Sequence, residues 1–136
     1  MNLNVLLAVD DNEQSLALIG RLANMSCYES VLTSTTETFK AAYLRSRPTL
    51  IVIDVLLGGE DCSELLDFLA RCRCQTPIAL VTGYTAEFMS VLESRMQNVG
   101  LTLVAKIEKK RNLFLLDDLL KSLRIPEIDD APAVSA

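Results

Sequence analysis

The chain has 136 residues, half of them hydrophobic, with 18 acidic and 13 basic side chains and a net charge of −5. That length and apolar content suit one domain with a real core and exclude a largely disordered chain. The acidic balance excludes a nucleic-acid-binding surface, which needs clustered excess lysine and arginine.

Leu3 to Val9 is a short apolar run that stops at Asp10 and Asp11, the pattern of a buried strand. Leu16, Ile19, Leu22 and Ala23 then recur at helical spacing over residues 13–25, with Asn12 or Asp11 as the cap. Tyr28 to Thr33 reads as a second strand. Thr35 or Thr36 opens a helix with Phe39, Ala42 and Tyr43 on one face, and Pro48 ends it. Leu50 to Asp54 is apolar on both faces and β-branched, as a central parallel strand should be. Gly58 and Gly59 mark a loop, and Leu65, Leu66 and Leu69 give the next helix.

Pro77 precedes a fourth strand, Ile78 to Val81, which ends in Thr82 and Gly83. Residues 86–99 carry a helical stripe of Phe88, Val91, Leu92, Met96 and Val99, and Gly100 is its natural stop. Leu101 to Ile107 is a fifth strand. Asn112 is predicted to cap a last helix with Leu113, Leu116, Leu120 and Leu123 inward. Phe114 and Leu115 lie beside that stripe and are candidates for a dimer or output face. The pattern predicts one domain over residues 1–125, then a flexible tail or linker start over residues 126–136.

Five strands alternating with five helices predict an α/β fold, a doubly wound five-stranded parallel sheet with helices on both faces. No run approaches the roughly 18 apolar residues of a membrane span. The start lacks a basic segment, and Asp10 and Asp11 end its apolar stretch too early for a secretory signal. A cytoplasmic protein is therefore expected, with Cys27, Cys62, Cys72 and Cys74 reduced. Histidine is absent and Cys72 and Cys74 are spaced C-x-C, so a zinc site is not expected.

Ligands of such sheets bind outside the carboxyl ends of the strands. The polar residues at those ends are Asp10 and Asp11, then Asp54, then Thr82, then a lysine. Three crowded carboxylates raise one another's pKa, and a hard divalent cation relieves this. Oxygen-only donors favour Mg2+. One carboxylate can then serve as a nucleophile toward phosphorus, with threonine and lysine neutralising the phosphoryl oxygens.

At these positions the chain resembles the response-regulator receiver family of two-component signalling, with its chemotaxis-regulator (flavodoxin-like) fold and strand order 2-1-3-4-5. Residues 9–12 resemble the family's acidic pair after strand one, residues 53–62 its phosphoacceptor segment, and Thr82 with Gly83 its hydroxyl followed by a small residue. The likeness runs from about Leu3 to Leu123. It implies phosphorylation of Asp54, with Asp11 and Asp54 binding Mg2+ directly, Asp10 assisting, and the Leu56 carbonyl completing the protein ligands. It also implies a histidine kinase or phosphotransfer protein as donor and an unknown output partner or fused output domain; Phe114 and Leu115 make a homodimer through the last helices an alternative. Slow self-dephosphorylation, rather than turnover of small molecules, is expected.

Lys109 and Lys106 both compete for the family's lysine. Lys109 preserves its spacing to the last helix, with Asn112 as cap and Leu113 and Leu116 inward; Lys106 would leave Ile107 in the loop.

Three departures bear on signal transmission. Lys110 replaces the family's proline, so a trans bond, or an isolated strained one, is expected between Lys109 and Lys110. Lys106 stands where the switch aromatic usually lies, and a charge cannot bury there without a partner. Cys62 replaces a glycine and Gly58 a proline, which predicts a loosened loop after Asp54. These motivate a second reading, a receiver-like interaction module with weakened switching. A third, a Mg2+-dependent phosphatase, lacks the Asp-x-Asp after strand one that such enzymes use.

Overall fold

The computed structural model describes residues 2–83, 86–110 and 113–126, and of residues 86–88 the backbone only. In chain order the elements are β1 (Val5–Val9), α1 (Glu13–Met25), β2 (Glu29–Thr33), α2 (Thr36–Arg45), β3 (Leu50–Asp54), β4 (Leu56–Leu57), β5 (Glu60–Asp61), α3 (Ser63–Arg71), β6 (Ile78–Thr82), α4 (Ala86–Asn98), β7 (Leu103–Glu108) and α5 (Phe114–Leu123). The main sheet is five parallel strands in the order β2-β1-β3-β6-β7, which is 2-1-3-4-5 counted within that sheet.

Strand alternation sorts the core into two layers. Leu7, Val9, Ile51, Ile53, Ile78 and Leu80 face α2, α3 and α4, where Phe39, Leu66, Leu69, Leu92 and Met96 meet them. Leu6, Ala8, Leu50, Val52, Ala79 and Val81 face α1 and α5, where Ile19, Ala23, Leu116 and Leu120 complete the second layer. Both central strands, β3 and β6, are buried along their whole length. Each fully buried Leu or Ile contributes about 1.5–3 kcal/mol, so the two layers hold the strand ends where polar side chains can be crowded.

Local signals set the helix starts. Asn12 caps α1 by accepting from the Ser15 amide, and Thr35 and Thr38 form a reciprocal capping box on α2. Asn4 is buried, and its side chain bonds the backbone of Ile125 on both sides. The Tyr28 hydroxyl donates to the Leu120 carbonyl at 2.9 Å. Both tie the end of α5 to the base of the sheet.

The structure departs from the sequence expectations in three places. The loop at Gly58 and Gly59 is a hairpin turn between β4 and β5, with φ of 59° and 86° that only glycine adopts without strain. Among the described side chains of α4 the buried ones are Met89, Leu92 and Met96, while Val91, and Val99 just past the helix, are exposed. That phase places residues 89, 92 and 96 on one face, a stripe rotated from the expected one; the Phe88 side chain lies outside the described residues. Strand β7 begins at Leu103, two residues later than expected, because Leu101 is buried in the turn before it. Asn112 and residues 127–136, assigned above to a helix cap and a tail, also lie outside the described residues. Among the described residues, no helix is long and apolar enough to cross a membrane.

Candidate functional site

The carboxyl ends of β1 and β3 are adjacent because these strands pair, with Val9 opposite Ile53. The residues that follow them therefore meet. Asp10 leaves β1 and is buried; Asp54 is the last residue of β3 and is also buried; Asp11 is exposed. One carboxylate oxygen from each of the three lies within 4.8 Å of the others.

On the other side β6 ends in buried Thr82, paired in register with Glu108. The next residue, Lys109, donates its amide to the Thr82 carbonyl at 2.8 Å. This main-chain bond extends the ladder by one residue and aims the lysine back across the edge. Its ammonium lies 2.7 Å from Asp10 Oδ2 and 3.0 Å from Asp54 Oδ2. Lys106, the other lysine weighed above, is elsewhere. It sits opposite Leu80 in register and pairs with Glu93 of α4 at 2.9 Å, with its side chain about half exposed. Asp10, Asp11, Asp54, Thr82 and Lys109 are thus brought to one edge, and Lys106 is not. The Lys109–Lys110 bond is trans, and no peptide among the described residues is cis.

Backbone amides hold the carboxylates. The Asn12 amide donates to Asp10 Oδ1 at 2.8 Å, and the Leu56 amide to Asp54 Oδ1 at 3.3 Å. The Gly58 amide, at the tip of the hairpin, donates to Asp11 Oδ2 at 2.8 Å. This last contact escaped the sequence reading. A Gly-Gly pair between short runs is a hairpin signal, but nothing in it says that the turn reaches back to Asp11.

The electrostatics follow from this crowding. Burial is the main cause that pushes the Asp54 carboxyl up from 3.8 to about 6. The neighbouring Asp10 charge adds to the rise, and the Lys109 ammonium and the Leu56 amide oppose it. Burial lowers Lys109, but bonding to Asp10 and Asp54 outweighs this and leaves it above its ordinary value. Burial and the Asp61 charge push the Cys62 thiol up to about 12, so it is inert beside the site.

Three carboxylates against one ammonium leave negative charge uncompensated. Asp10 Oδ2 is buried and accepts no well-directed hydrogen bond, its compensation being the Lys109 ion pair. A cluster of carboxylate oxygens with spare lone pairs fits a hard divalent cation such as Mg2+. The edge opens into a cavity of about 450 Å3 lined by Asp11, Asp54, Leu56, Gly59, Lys109 and Lys110 among others.

No protein-family model matches the chain, and no curated protein does. Solved structures do match, and many of them are CheY-like response-regulator receiver domains. A CheY-like receiver domain protein from Methanospirillum hungatei JF-1 is 26% identical, with a TM-score of 0.73, over 89% of this chain and 94% of that one. A response regulator from Thermotoga maritima in complex with Mg2+ and BeF is 20% identical, with a TM-score of 0.73, over 89% and 99%. A response regulator from Burkholderia pseudomallei with a phosphorylated aspartic acid, a calcium ion and citrate is 19% identical, with a TM-score of 0.71, over 89% and 66%.

Proposed function

We propose that this chain, which has the fold of response-regulator receiver domains, is a phosphorylation-controlled signalling switch that accepts a phosphoryl group on Asp54. The observation that carries the reading is one juxtaposition. A buried carboxylate at the end of a central strand faces a lysine ammonium at 3.0 Å, inside an acidic cluster that opens to a cavity.

The Asp54 carboxylate attacks phosphorus on a phosphohistidine of a kinase or phosphotransfer protein. An O–P bond forms, the P–N bond breaks, and the imidazole nitrogen keeps the electron pair and takes a proton. With a carboxyl pKa of about 6, Asp54 is mostly ionised and nucleophilic at neutral pH. Lys109 and Thr82 hold the phosphoryl oxygens afterwards. Asp10, Asp11, Asp54 and the Leu56 carbonyl would hold Mg2+, which supplies the positive charge that offsets carboxylate and phosphoryl repulsion. The acyl phosphate hydrolyses slowly, so the domain is a switch and not a turnover enzyme. Phe114, 82% exposed, and Leu115 form the face offered to an output partner or a second copy.

Lys106 favours a second reading. It stands outside the core in a surface ion pair with Glu93, so no aromatic at that position reports on the phosphoryl site. A receiver-like interaction module with weakened switching fits that feature.

One experiment separates these readings. The protein is incubated with Mg2+ and acetyl phosphate and weighed intact. A phosphate adduct that disappears in Asp54→Asn supports the switch. No adduct, and no response to beryllium fluoride, favours the interaction module. Turnover of unrelated phosphate esters points to an enzyme.

A further inference from the structure

The lining of the cavity over Asp54 includes a basic residue that the site as described does not use. Lys110 lines the same opening as Asp11, Asp54, Gly59 and Lys109, and it is exposed. The chain has five lysines. Lys40 pairs with Glu64, Lys106 with Glu93, Lys109 with Asp10 and Asp54, and Lys121 with Asp117. Lys110 alone makes no ion pair or hydrogen bond among the described residues. Its trans peptide continues the chain from Lys109, so the free ammonium is tethered one residue from the ammonium at the floor.

The physical problem at this edge is anion entry. A phosphoryl donor carries negative charge, and the Lys109 ammonium is already engaged by two of the three carboxylates; Mg2+ at the floor would only balance the carboxylates, leaving no net attraction at the mouth. Like charges at the mouth slow encounter, and a cation at the rim reverses the local field. An ammonium spent on a neighbouring carboxylate could not do this; an unpaired one can.

We propose that Lys110 is an anion-steering residue that recruits the dianionic phosphoryl group of the donor to the mouth of the Asp54 site. The proposal rests on the phosphoacceptor reading of Asp54. It assigns Lys110 to donor capture, not to bond formation.

The test is the second-order rate of adduct formation from acetyl phosphate, followed by intact mass at saturating Mg2+. The full chain is compared as wild type, Lys110→Ala, Lys110→Arg and Lys110→Glu. At low ionic strength Lys110→Ala should be about fivefold slower, the size expected for one unit charge acting on a dianion through water. Lys110→Glu should be slower still, and Lys110→Arg close to wild type. The differences should collapse near 1 M salt, where screening is nearly complete. Calorimetric Mg2+ affinity should be unchanged or tighter in Lys110→Ala, because a nearby positive charge has been removed.

Equal rates for wild type and Lys110→Ala would overturn the steering role alone. So would a loss that persists in high salt, or one accompanied by weaker Mg2+ binding, since either marks structural damage. Absence of any wild-type adduct would overturn the phosphoacceptor reading itself, and the steering role with it.

Discussion

At the carboxyl edge the charged side chains are held by the backbone or by a second charge. Asp10 takes the Asn12 amide, Asp54 the Leu56 amide, Asp11 the Gly58 amide, and Lys109 is placed by its own amide on Thr82. On the face formed by α4, β7 and α5 the charged contacts join exposed or half-exposed side chains, Lys106 with Glu93 and Lys121 with Asp117. Val91, Phe114 and Leu115 stand open on the same helices. Backbone contacts come with the fold, whereas exposed ion pairs add about 0–1 kcal/mol each and weaken in salt. The charged groups of the edge are therefore fixed by the fold, and those of the face are held only by weak surface pairs.

Lys109→Ala should give the largest effect. It leaves Asp10 and Asp54 buried without their cation, and breaking such a pair costs about 3 kcal/mol. Urea unfolding in metal-free buffer measures the loss, and added Mg2+ should restore part of it. An unchanged midpoint would mean that the edge is no tighter than the face.

Asp54→Asn should act in the opposite direction. The folded Asp54 carboxyl titrates near 6 against an ordinary 3.8, so the folded state binds its proton more tightly than the unfolded state. This group's contribution to stability therefore rises as pH falls through 6 and levels off below about 4. At pH 7.5 without metal, Asp54→Asn should be more stable than wild type by about 1–3 kcal/mol, with the gap closing at pH 5. If wild type proves the more stable protein at pH 7.5, the repulsive account of the edge is wrong.

A smaller effect is expected of Gly58→Ala. No atom lies within 4 Å of the new Cβ, so the penalty is the positive φ of 59° alone. That costs about 1 kcal/mol and disturbs the amide that holds Asp11. Calorimetric Mg2+ affinity should fall severalfold; an unchanged affinity would show that the hairpin does not set Asp11.

Lys106→Ala should matter least, at about 0.5 kcal/mol or less in thermal unfolding. Acetyl phosphate should label it at the wild-type rate. A slower rate would show that the edge and the face are coupled through β7 after all.

Much of this arrangement was legible before the structure. Asp54 closes an apolar β-branched run, and an unpaired carboxylate there is too costly to be incidental. Asp10, Asp11 and Thr82 terminate runs of the same kind, so the parallel-sheet pattern alone sends them to one edge. Lys106 was legible as a residue that could not bury alone. Its partner was not, because Glu93 lies 13 residues earlier on another element. The face of α4 was not legible either. Met89, Val91, Leu92, Met96 and Val99 offer two overlapping apolar stripes, and only burial in the core layer shared with Leu80 and Leu101 selects the one through Met89.

The sequence by itself determined the alternation of strands and helices, the strand ends and the chemistry of the residues there. These depend on local periodicity and on the high cost of burying charge, and both can be read along the chain. The tertiary structure alone decided which carboxylates the Lys109 ammonium meets, that the Gly58 turn returns to Asp11, and that Lys110, at the mouth, has no ion pair among the described residues. The Gly58–Asp11 and Lys109–Asp54 contacts join residues tens of positions apart, and their distances are set by how the two core layers pack.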